Sequence, residues 1–133
     1  MRHATRHRLL RRLIAALLLF GLLAAPAFGQ QDVEQQKISY LIASVAALQD
    51  ATFIRNGTSY DAVHAANHMR LKLRFAGGRV KTAEDFITYC ATGSSMSGIK
   101  YSIRFHDGRS VDSATFLHAK LAEYEAKTAS QPH

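Results

Sequence analysis

The chain has 133 residues and a formal net charge of +7, but five of its 17 Lys and Arg lie within the first 12 residues. Beyond them, 12 basic and 10 acidic residues leave a nearly neutral chain. The basic composition therefore does not indicate nucleic-acid binding, and we expect no nucleic-acid partner.

Residues 1–29 have the organisation of a cleaved secretory signal peptide. Their basic start is followed by an apolar run at 13–25, which suits a signal peptide and is too short to span a membrane comfortably. Small side chains at Ala27 and Gly29 predict cleavage before Gln30, with cleavage after Ala27 as the alternative. No cysteine follows the run to carry a lipid, and general secretion is favoured over twin-arginine export. We expect a periplasmic protein with no membrane anchor after cleavage.

The first predicted helix covers residues 32–49. Its acidic residues Asp32 and Glu34 suit the positively polarised N-terminus of a helix. One side of this helix has the apolar spacing of a buried face, formed by Val33, Ile38, Leu41, Ile42, Val45 and Leu48.

A β-hairpin is predicted next. Residues 52–54 favour a strand, and Asn56-Gly57 is a strong two-residue signal for a hairpin turn. A two-residue turn at this point places Phe53 opposite Tyr60 in the partner strand.

The second predicted helix is the central element of the chain. It has Ser59 or Asp61 as its N-cap and ends at Gly77-Gly78. One stripe of apolar side chains is formed by Ala62, Ala66, Met69, Leu73 and Ala76. A second stripe, on roughly the opposite side, is formed by His64, His68, Leu71 and Phe75. Because a surface helix needs only one apolar stripe, two stripes predict a helix that is packed on both sides.

The third predicted helix begins after Thr82, which forms a capping-box pattern with Asp85, and it ends near Gly93. Cys90 is the only cysteine of the chain, so no intramolecular disulfide can form. The thiol falls on the apolar stripe of this helix, and a buried, unreactive cysteine is favoured over a reactive one.

A second hairpin and a fourth helix follow. Residues 101–105 alternate between apolar and polar side chains, and the Asp-Gly pair at 107–108 turns the chain back through 109–111. Asp112 or Ser113 then caps the fourth helix. The buried stripe of that helix is predicted to contain Ala114, Leu117, Leu121 and Tyr124.

Together these elements predict an α+β fold, with about four helices around a small antiparallel sheet of two short hairpins. Because an isolated hairpin is marginal in water, we expect the hairpins to pair with each other or to lie on helices. The predicted organisation is a signal peptide at 1–29, one compact domain at 30–127 and a disordered tail at 128–133.

Five segments resemble those of a known family, in the same order along the chain. They are Phe-Ile-Arg-Asn-Gly at 53–57, Ala-Ala-Asn-His-Met-Arg-Leu-Lys-Leu at 65–73, Thr-Ala-Glu-Asp-Phe-Ile at 82–87, Ser-Ser-Met-Ser-Gly at 94–98 and Tyr-x-Ile-x-Phe-x-Asp-Gly at 101–108. On these segments the chain resembles the YfeK-like family of small exported bacterial proteins, a domain of unknown function. The resemblance implies export to the periplasm and a single compact domain, and it implies no catalytic residue, cofactor or partner.

His64 and His68 are four residues apart, so a helix places both imidazoles where they can reach the same metal ion. Two imidazoles are too few for a tight zinc site, and no glutamate lies between them as in the zinc-protease motif. The candidates for a third ligand are His106, His118, Asp61 and Asp107. Two partly exposed histidines beside an apolar stripe are the favoured interpretation, and we predict no bound metal or other cofactor.

A serine-rich loop at 93–98 is the second candidate site. It lacks the Gly-x-Ser-x-Gly spacing of esterases, and Ser97 and Lys100 match the Ser-x-x-Lys motif where the chain enters a strand rather than a helix. Hydroxyls that satisfy backbone groups of a tight loop are favoured over a nucleophile. An intermediate interpretation is an anion or peptide-carboxylate site that the loop forms with Arg70 or Lys72.

The export signal, the small size and the lack of a catalytic set predict a non-catalytic periplasmic accessory domain that binds a protein, peptide or envelope component. The alternative is a small metal-binding protein or hydrolase that uses the histidine pair and the serine-rich loop. The candidate binding surface consists of His64, His68, Arg70, Leu71, Lys72, Phe75, Ser94, Ser95 and Ser97. Leu71 and Phe75 form the apolar centre of that surface only if they are exposed, and burial is favoured because a small domain needs most of its apolar side chains in the core.

Overall fold

The computed structural model describes residues 27–131, and this part of the chain has the predicted α+β architecture. Its α-helices are α1 (Ala27–Ala46), α2 (Ala62–Ala76), α3 (Ala83–Phe86) and α4 (Ser113–Ala129). Its strands are β1 (Thr52–Arg55), β2 (Thr58–Tyr60), β3 (Ser102–Arg104) and β4 (Ser110–Asp112). A 3₁₀ turn at Gly77–Arg79 follows α2, and a π-helix at Ile87–Ala91 continues α3. Most of the predicted signal peptide, residues 1–26, lies outside the described residues.

The sheet is antiparallel with the strand order β2-β1-β3-β4, so the two predicted hairpins pair with each other through β1 and β3. In the first hairpin Phe53 lies opposite Tyr60, as predicted. Asn56 and Gly57 have positive φ angles of 50° and 76°, which is the conformation that a type I′ turn requires at both central residues. On β3, Ile103 pairs with Phe53, and both side chains are buried in the core between the sheet and the helices.

The ends of α2 and its first apolar stripe agree with the prediction. The Asp61 carboxylate accepts a hydrogen bond from the His64 amide at 2.8 Å, and the Gly77 amide donates to the Leu73 carbonyl at the other end. The first stripe faces the core, with Leu73 half-buried and the other members fully buried: Ala62, Ala66, Met69 and Ala76.

The prediction that α2 is packed on both sides is wrong. Leu71 is 39% exposed and Phe75 is 79% exposed, so neither belongs to the core. The elements that pack against α2 include β1 and the π-helix. They leave the Leu71 and Phe75 end of the second stripe exposed, whereas His68 of the same stripe contacts Arg55 of β1. Spacing alone identified a second apolar stripe, but it could not show whether another element covers that stripe.

This difference predicts unequal effects of truncating two neighbouring leucines. We expect Leu73→Ala to lower the free energy of unfolding by about 1–2 kcal/mol, less than for a fully buried leucine, because Leu73 is only half-buried. Leu71→Ala should change it by less than about 0.5 kcal/mol, as is usual at the surface. Urea unfolding of both variants measures the difference, and equal large losses would show that Leu71 is buried after all.

The capping box of α3 is confirmed, but the helix that follows differs from the prediction. The Thr82 hydroxyl accepts from the Asp85 amide, and the Asp85 carboxylate accepts from the Thr82 amide, both at 3.1 Å. After Phe86 the chain continues as a π-helix, and the hydroxyl of Thr92, which follows that helix, donates to the Ile87 carbonyl at 2.8 Å. The predicted stripe is nevertheless buried and includes Cys90, where burial raises the pKa of the thiol.

α1 begins five residues before and ends three residues before the predicted boundaries. The prediction began this helix just after the expected cleavage site, whereas the helix extends across that site. Its C-terminus comes early because the Leu48 amide bonds to the Val45 carbonyl, three residues back, at 3.1 Å, which turns the chain out of the α-helix. Glu34 is therefore not in the first turn of α1, contrary to the prediction. Its buried carboxylate instead accepts a hydrogen bond from the Ala83 amide at the start of α3, at 2.7 Å.

The fourth helix agrees with its predicted start and buries Leu117 and Leu121 of the predicted stripe. It runs to Ala129, two residues into the segment predicted as a tail, and residues 132–133 lie outside the described part. Among the helices described for residues 27–131, none is both long and apolar enough to cross a membrane.

Candidate functional site

A cavity of about 230 Å³ lies between α2 and the core side of the sheet. Its apolar wall includes Phe53, Ile54, Ala65 and Met69. The polar side chains that line it include Arg55, His64, His68, Tyr101 and Ser113. Although several of these side chains carry a polar group, most of the surface that they expose to the cavity is apolar. A mostly apolar surface with a few polar groups is the usual form of a small-molecule or side-chain binding site.

The sheet supplies three of these side chains in one row. The last paired row joins one residue from each of β1, β3 and β4. The next position on each of these strands, just past the paired row, belongs to Arg55, Tyr101 and Ser113, so these three residues form a further row across the sheet. The Ser113 amide donates to the Tyr101 carbonyl at 2.9 Å. Because side chains alternate between the faces of a sheet, this row shares a face with the buried Phe53 and Ile103. The strand ends therefore present polar groups at the edge of the core.

The opposite wall comes from α2. His64 and His68 lie one helical turn apart, and Ala65 and Met69 repeat the same spacing one residue later. Residues four apart lie on the same side of a helix, so the four side chains form a continuous wall.

Arg55 and His68 meet within this wall. The guanidinium Nη1 lies 2.9 Å from Nδ1 and 2.7 Å from Nε2 of His68, within hydrogen-bond distance of both ring nitrogens. Only an unprotonated ring nitrogen accepts a hydrogen bond, so this contact requires a neutral imidazole. Burial lowers the pKa of His68, and the charges of Arg55 and Lys72 lower it further. The guanidinium also lies 5.4 Å from the centre of the Tyr60 ring, as in a cation–π contact.

The lowered pKa of His68 predicts that acid destabilises the fold. An unfolded histidine has a pKa of about 6.5, so as the pH falls through that value the unfolded chain takes up a proton before the folded chain does. The contribution of His68 is therefore fully present above about pH 6.5 and decreases below it. We expect the melting temperature to fall between about pH 7.5 and pH 5.5, and to fall less in His68→Gln. His118→Gln, at an exposed position, is the control, and identical pH profiles for wild type and His68→Gln would contradict this account.

Lys72 connects the cavity with the serine-rich loop. Its ammonium donates to the Gly93 carbonyl at 2.9 Å and lies 3.4 Å from the Tyr101 hydroxyl. Burial lowers the pKa of Lys72. A Cβ atom at Gly93 would lie 2.8 Å from the Ile99 carbonyl oxygen, so this close approach of two backbone segments requires glycine. The ammonium is thus held by the backbone of the loop.

The hydroxyls of the serine-rich loop bond within the protein. Ser94 Oγ accepts from the amides of Met96 and Ser97, both at 3.3 Å. Ser97 Oγ donates to Asn56 Oδ1 in the first hairpin turn at 2.8 Å. Ser95 is exposed. These bonds are the ones expected of hydroxyls that stabilise a tight loop and its neighbouring turn.

His64 and His68 both line the cavity but have different neighbours. His64 Nδ1 lies 2.9 Å from the Asp61 carboxylate, whereas His68 faces Arg55. His118, one candidate for a third metal ligand, instead bonds to an exposed carboxylate of α3 at 2.9 Å. Within residues 27–131, no three or more His, Cys, Asp and Glu side chains are grouped so that they could hold a metal ion.

The remaining predicted surface residues lie outside the cavity wall. Arg70 donates to the Asn67 side chain at 2.9 Å on the exposed side of α2, where Leu71 and Phe75 are also exposed. The structure therefore brings His64 and His68 of the predicted surface into the cavity. It places Lys72 beside the cavity and leaves Arg70, Leu71 and Phe75 outside it.

Sequence reasoning missed Arg55, Tyr101 and Ser113 as parts of a site. Tyr101 was assigned to a strand and Ser113 to a helix end, whereas Arg55 was assigned to no element. The alternation at 101–105 did place Tyr101 on the same side as Ile103 and Phe105. The prediction left open whether the hairpins pair with each other or lie on helices, and it did not specify that β1 pairs with β3, which is far from it in the sequence. No local pattern specifies that pairing.

Residues 32–125 match the family of unknown function DUF5329. "Uncharacterized protein YfeK" of Salmonella typhimurium is 37% identical over 81 residues, which are 60% of this chain and 68% of that protein. No solved structure shows a significant match. The family match covers most of the chain and agrees with the resemblance noted in the sequence, so the chain belongs to the YfeK-like family of unknown function, DUF5329.

Proposed function

We propose that this chain is an exported, non-catalytic binding domain of the bacterial cell envelope, and that a protein, a peptide or another envelope component binds in the cavity between α2 and the sheet. The cavity is the observation that carries the proposal, because it combines an apolar wall with a few inward-facing polar groups. The N-terminal basic segment and apolar run support export.

The surroundings of the candidate nucleophiles support binding rather than covalent catalysis. An activated hydroxyl or thiol needs an adjacent base or a lowered pKa. Ser94 and Ser97 bond within their loop, and Ser113 Oγ has no hydrogen-bond partner among the described residues. The Cys90 thiol is buried, and burial raises its pKa.

Site-specific photo-crosslinking in cells tests the proposal. A photoreactive amino acid replaces His64, whose side chain is exposed at the cavity, and the full-length chain is expressed in a bacterium and fractionated after illumination. We expect crosslinked products in the periplasmic fraction. Retention of the chain in the cytoplasm would contradict the export part of the proposal.

A cavity-filling substitution links the crosslink to the site. Ala65→Leu adds bulk to the cavity wall without removing a polar group, whereas Ala119→Leu adds the same bulk on the exposed side of α4. We expect the crosslinked product to be lost in Ala65→Leu and kept in Ala119→Leu, with melting temperatures measured for both. A product that Ala65→Leu leaves unchanged would show that the partner binds elsewhere.

A further inference from the structure

Arg55 is a half-buried cation without an acidic partner in the described part of the chain. No carboxylate of residues 27–131 lies within 4.0 Å of its guanidinium. Its hydrogen-bond contact there is with His68 through Nη1, although a guanidinium has five N–H donors in a planar fork. Arg55 therefore has donors left for a planar anion at the cavity wall.

The charges around the cavity also favour an anion. None of the described residues that line it is acidic, and the Lys72 ammonium lies beside it at 3.4 Å from the Tyr101 hydroxyl. The Asp61 carboxylate, next to His64, already accepts hydrogen bonds from the amide and the ring of that residue. An apolar cavity with an excess of positive charge attracts anions.

Ser113 adds a second, independent observation at the opposite end of the row. Ser113 is 1% exposed and is among the residues that line the cavity, yet its hydroxyl has no hydrogen-bond partner in residues 27–131. Buried hydroxyls in folded proteins are nearly always paired, so the partner of this one lies outside the described chain, as an ordered water or as a polar group of a bound molecule. Neighbouring strands are about 4.8 Å apart, so the backbones at Arg55 and Ser113, with Tyr101 between them, are separated by about 10 Å.

The size of the cavity limits the apolar part of the ligand. A volume of about 230 Å³ exceeds that of an engineered apolar cavity of about 150 Å³ that binds benzene. The space between Arg55 and Ser113 is lined by Phe53, Ala65 and Met69 and suits one aromatic ring or a short branched chain.

We propose that the cavity binds a carboxylate attached to an apolar group of about the size of an aromatic ring, whose far end carries a hydrogen-bonding group. Arg55 holds the carboxylate, Phe53 and Met69 enclose the apolar group, and Ser113 bonds to its far end. One planar guanidinium matches a carboxylate, whereas a phosphate would need further cations and Lys72 is already held by the Gly93 carbonyl. The inference rests on the proposed function, and the same chemistry occurs in free aromatic acids and in a C-terminal tyrosine of a polypeptide.

Calorimetric titration with matched small molecules tests the inference. We expect 4-hydroxyphenylacetate to bind about tenfold or more tightly than its amide, because the amide cannot pair with Arg55 as an anion. Phenylacetate should bind severalfold more weakly than the hydroxylated acid. The tripeptide Gly-Gly-Tyr and its C-terminal amide form a second arm. Tighter binding of the tripeptide identifies a chain end as the source of the ligand, and tighter binding of the free acid identifies a small molecule.

Substitutions test which residue binds which end of the ligand. Arg55→Gln should weaken binding of 4-hydroxyphenylacetate about tenfold or more, Arg55→Lys should weaken it less, and Arg104→Gln on the exposed part of β3 should not change it. Ser113→Ala should make phenylacetate and 4-hydroxyphenylacetate bind alike without lowering the melting temperature, because the removed hydroxyl is unpaired. Ser110→Ala, at an exposed position of β4, is its control.

Equal binding of acid and amide, or wild-type affinity in Arg55→Gln, would overturn the inference. The inference would also be overturned if Ser113→Ala still preferred 4-hydroxyphenylacetate to phenylacetate as strongly as the wild type does, because the Ser113 hydroxyl would then not bond to the far end of the ligand. If no probe binds while the crosslink at position 64 still depends on Ala65, the ligand class is wrong and the proposed function stands. If no probe binds and Ala65→Leu also leaves the crosslinked product unchanged, both the ligand class and the proposed function are wrong.

Discussion

Phe86→Ala is expected to remove a large part of the stability of the domain. Phe86 is fully buried and is the largest of the fully buried side chains in the described part of the chain. Truncating a buried phenylalanine to alanine lowers the free energy of unfolding by about 3–5 kcal/mol, while a typical domain has only about 5–15 kcal/mol. We therefore expect the melting temperature to fall by more than about 10 °C, measured by circular dichroism.

The position of Phe86 in the chain makes the loss large. It ends α3 and leads into the π-helix, which packs against both α2 and α4. A cavity at this junction would loosen contacts with two helices at once. Phe75→Ala is the matched control, since the same atoms are removed where the side chain is 79% exposed, and its effect should stay within about 0.5 kcal/mol. Similar losses in the two variants would contradict the packing described for α2 and α3.

The predictions that agree with the structure rest on short-range signals. The Asn56-Gly57 turn, the Asp61 cap and the capping box of Thr82 and Asp85 each involve groups within about four residues of one another. At that range the chain has few alternative partners for a backbone amide or carboxylate. The hairpin register and the element types follow from the same local chemistry.

The predictions that failed depend on which distant segments meet. The exposure of Leu71 and Phe75 depends on whether another element covers α2 on that side. The row of Arg55, Tyr101 and Ser113 depends on the pairing of β1 with β3. A single sequence specifies the periodicity of each element but not its neighbours, so the sequence identified the two histidines of the cavity and missed the groups on the sheet.

Glu34 illustrates the same limit and has the second large expected effect. From its place near the start of the first predicted helix, its charge was expected to stabilise the N-terminus of that helix. Its carboxylate instead bonds to the Ala83 amide at 2.7 Å and pairs with Lys37 at 3.0 Å. Lys37 also bonds to Glu125 of α4 at 2.9 Å, so this buried carboxylate lies at the junction of α1, α3 and α4. It supplies a charge partner to the first amide of a helix that has only one turn.

Glu34→Ala should lower the free energy of unfolding by about 3 kcal/mol at neutral pH, the lower end of the range for breaking a buried pair. Glu34→Gln keeps an acceptor for the Ala83 amide and should lose less, about 1–2 kcal/mol. Glu84→Ala, which removes an exposed carboxylate from the same short helix, should lose less than about 1 kcal/mol.

The effect of Glu34 should depend on pH in a defined direction. Burial raises the pKa of Glu34, but the hydrogen bond from the Ala83 amide and the pairing with Lys37 together outweigh it, so the pKa lies below its usual value. Because the folded pKa is the lower one, the stabilisation is fully present above the unfolded value of about 4.3 and is lost as the pH falls through the folded pKa. Urea unfolding of wild type and Glu34→Gln should therefore differ most near pH 7 and converge below about pH 4. A difference that stays constant down to acidic pH would show that the carboxylate acts through its shape rather than through its charge.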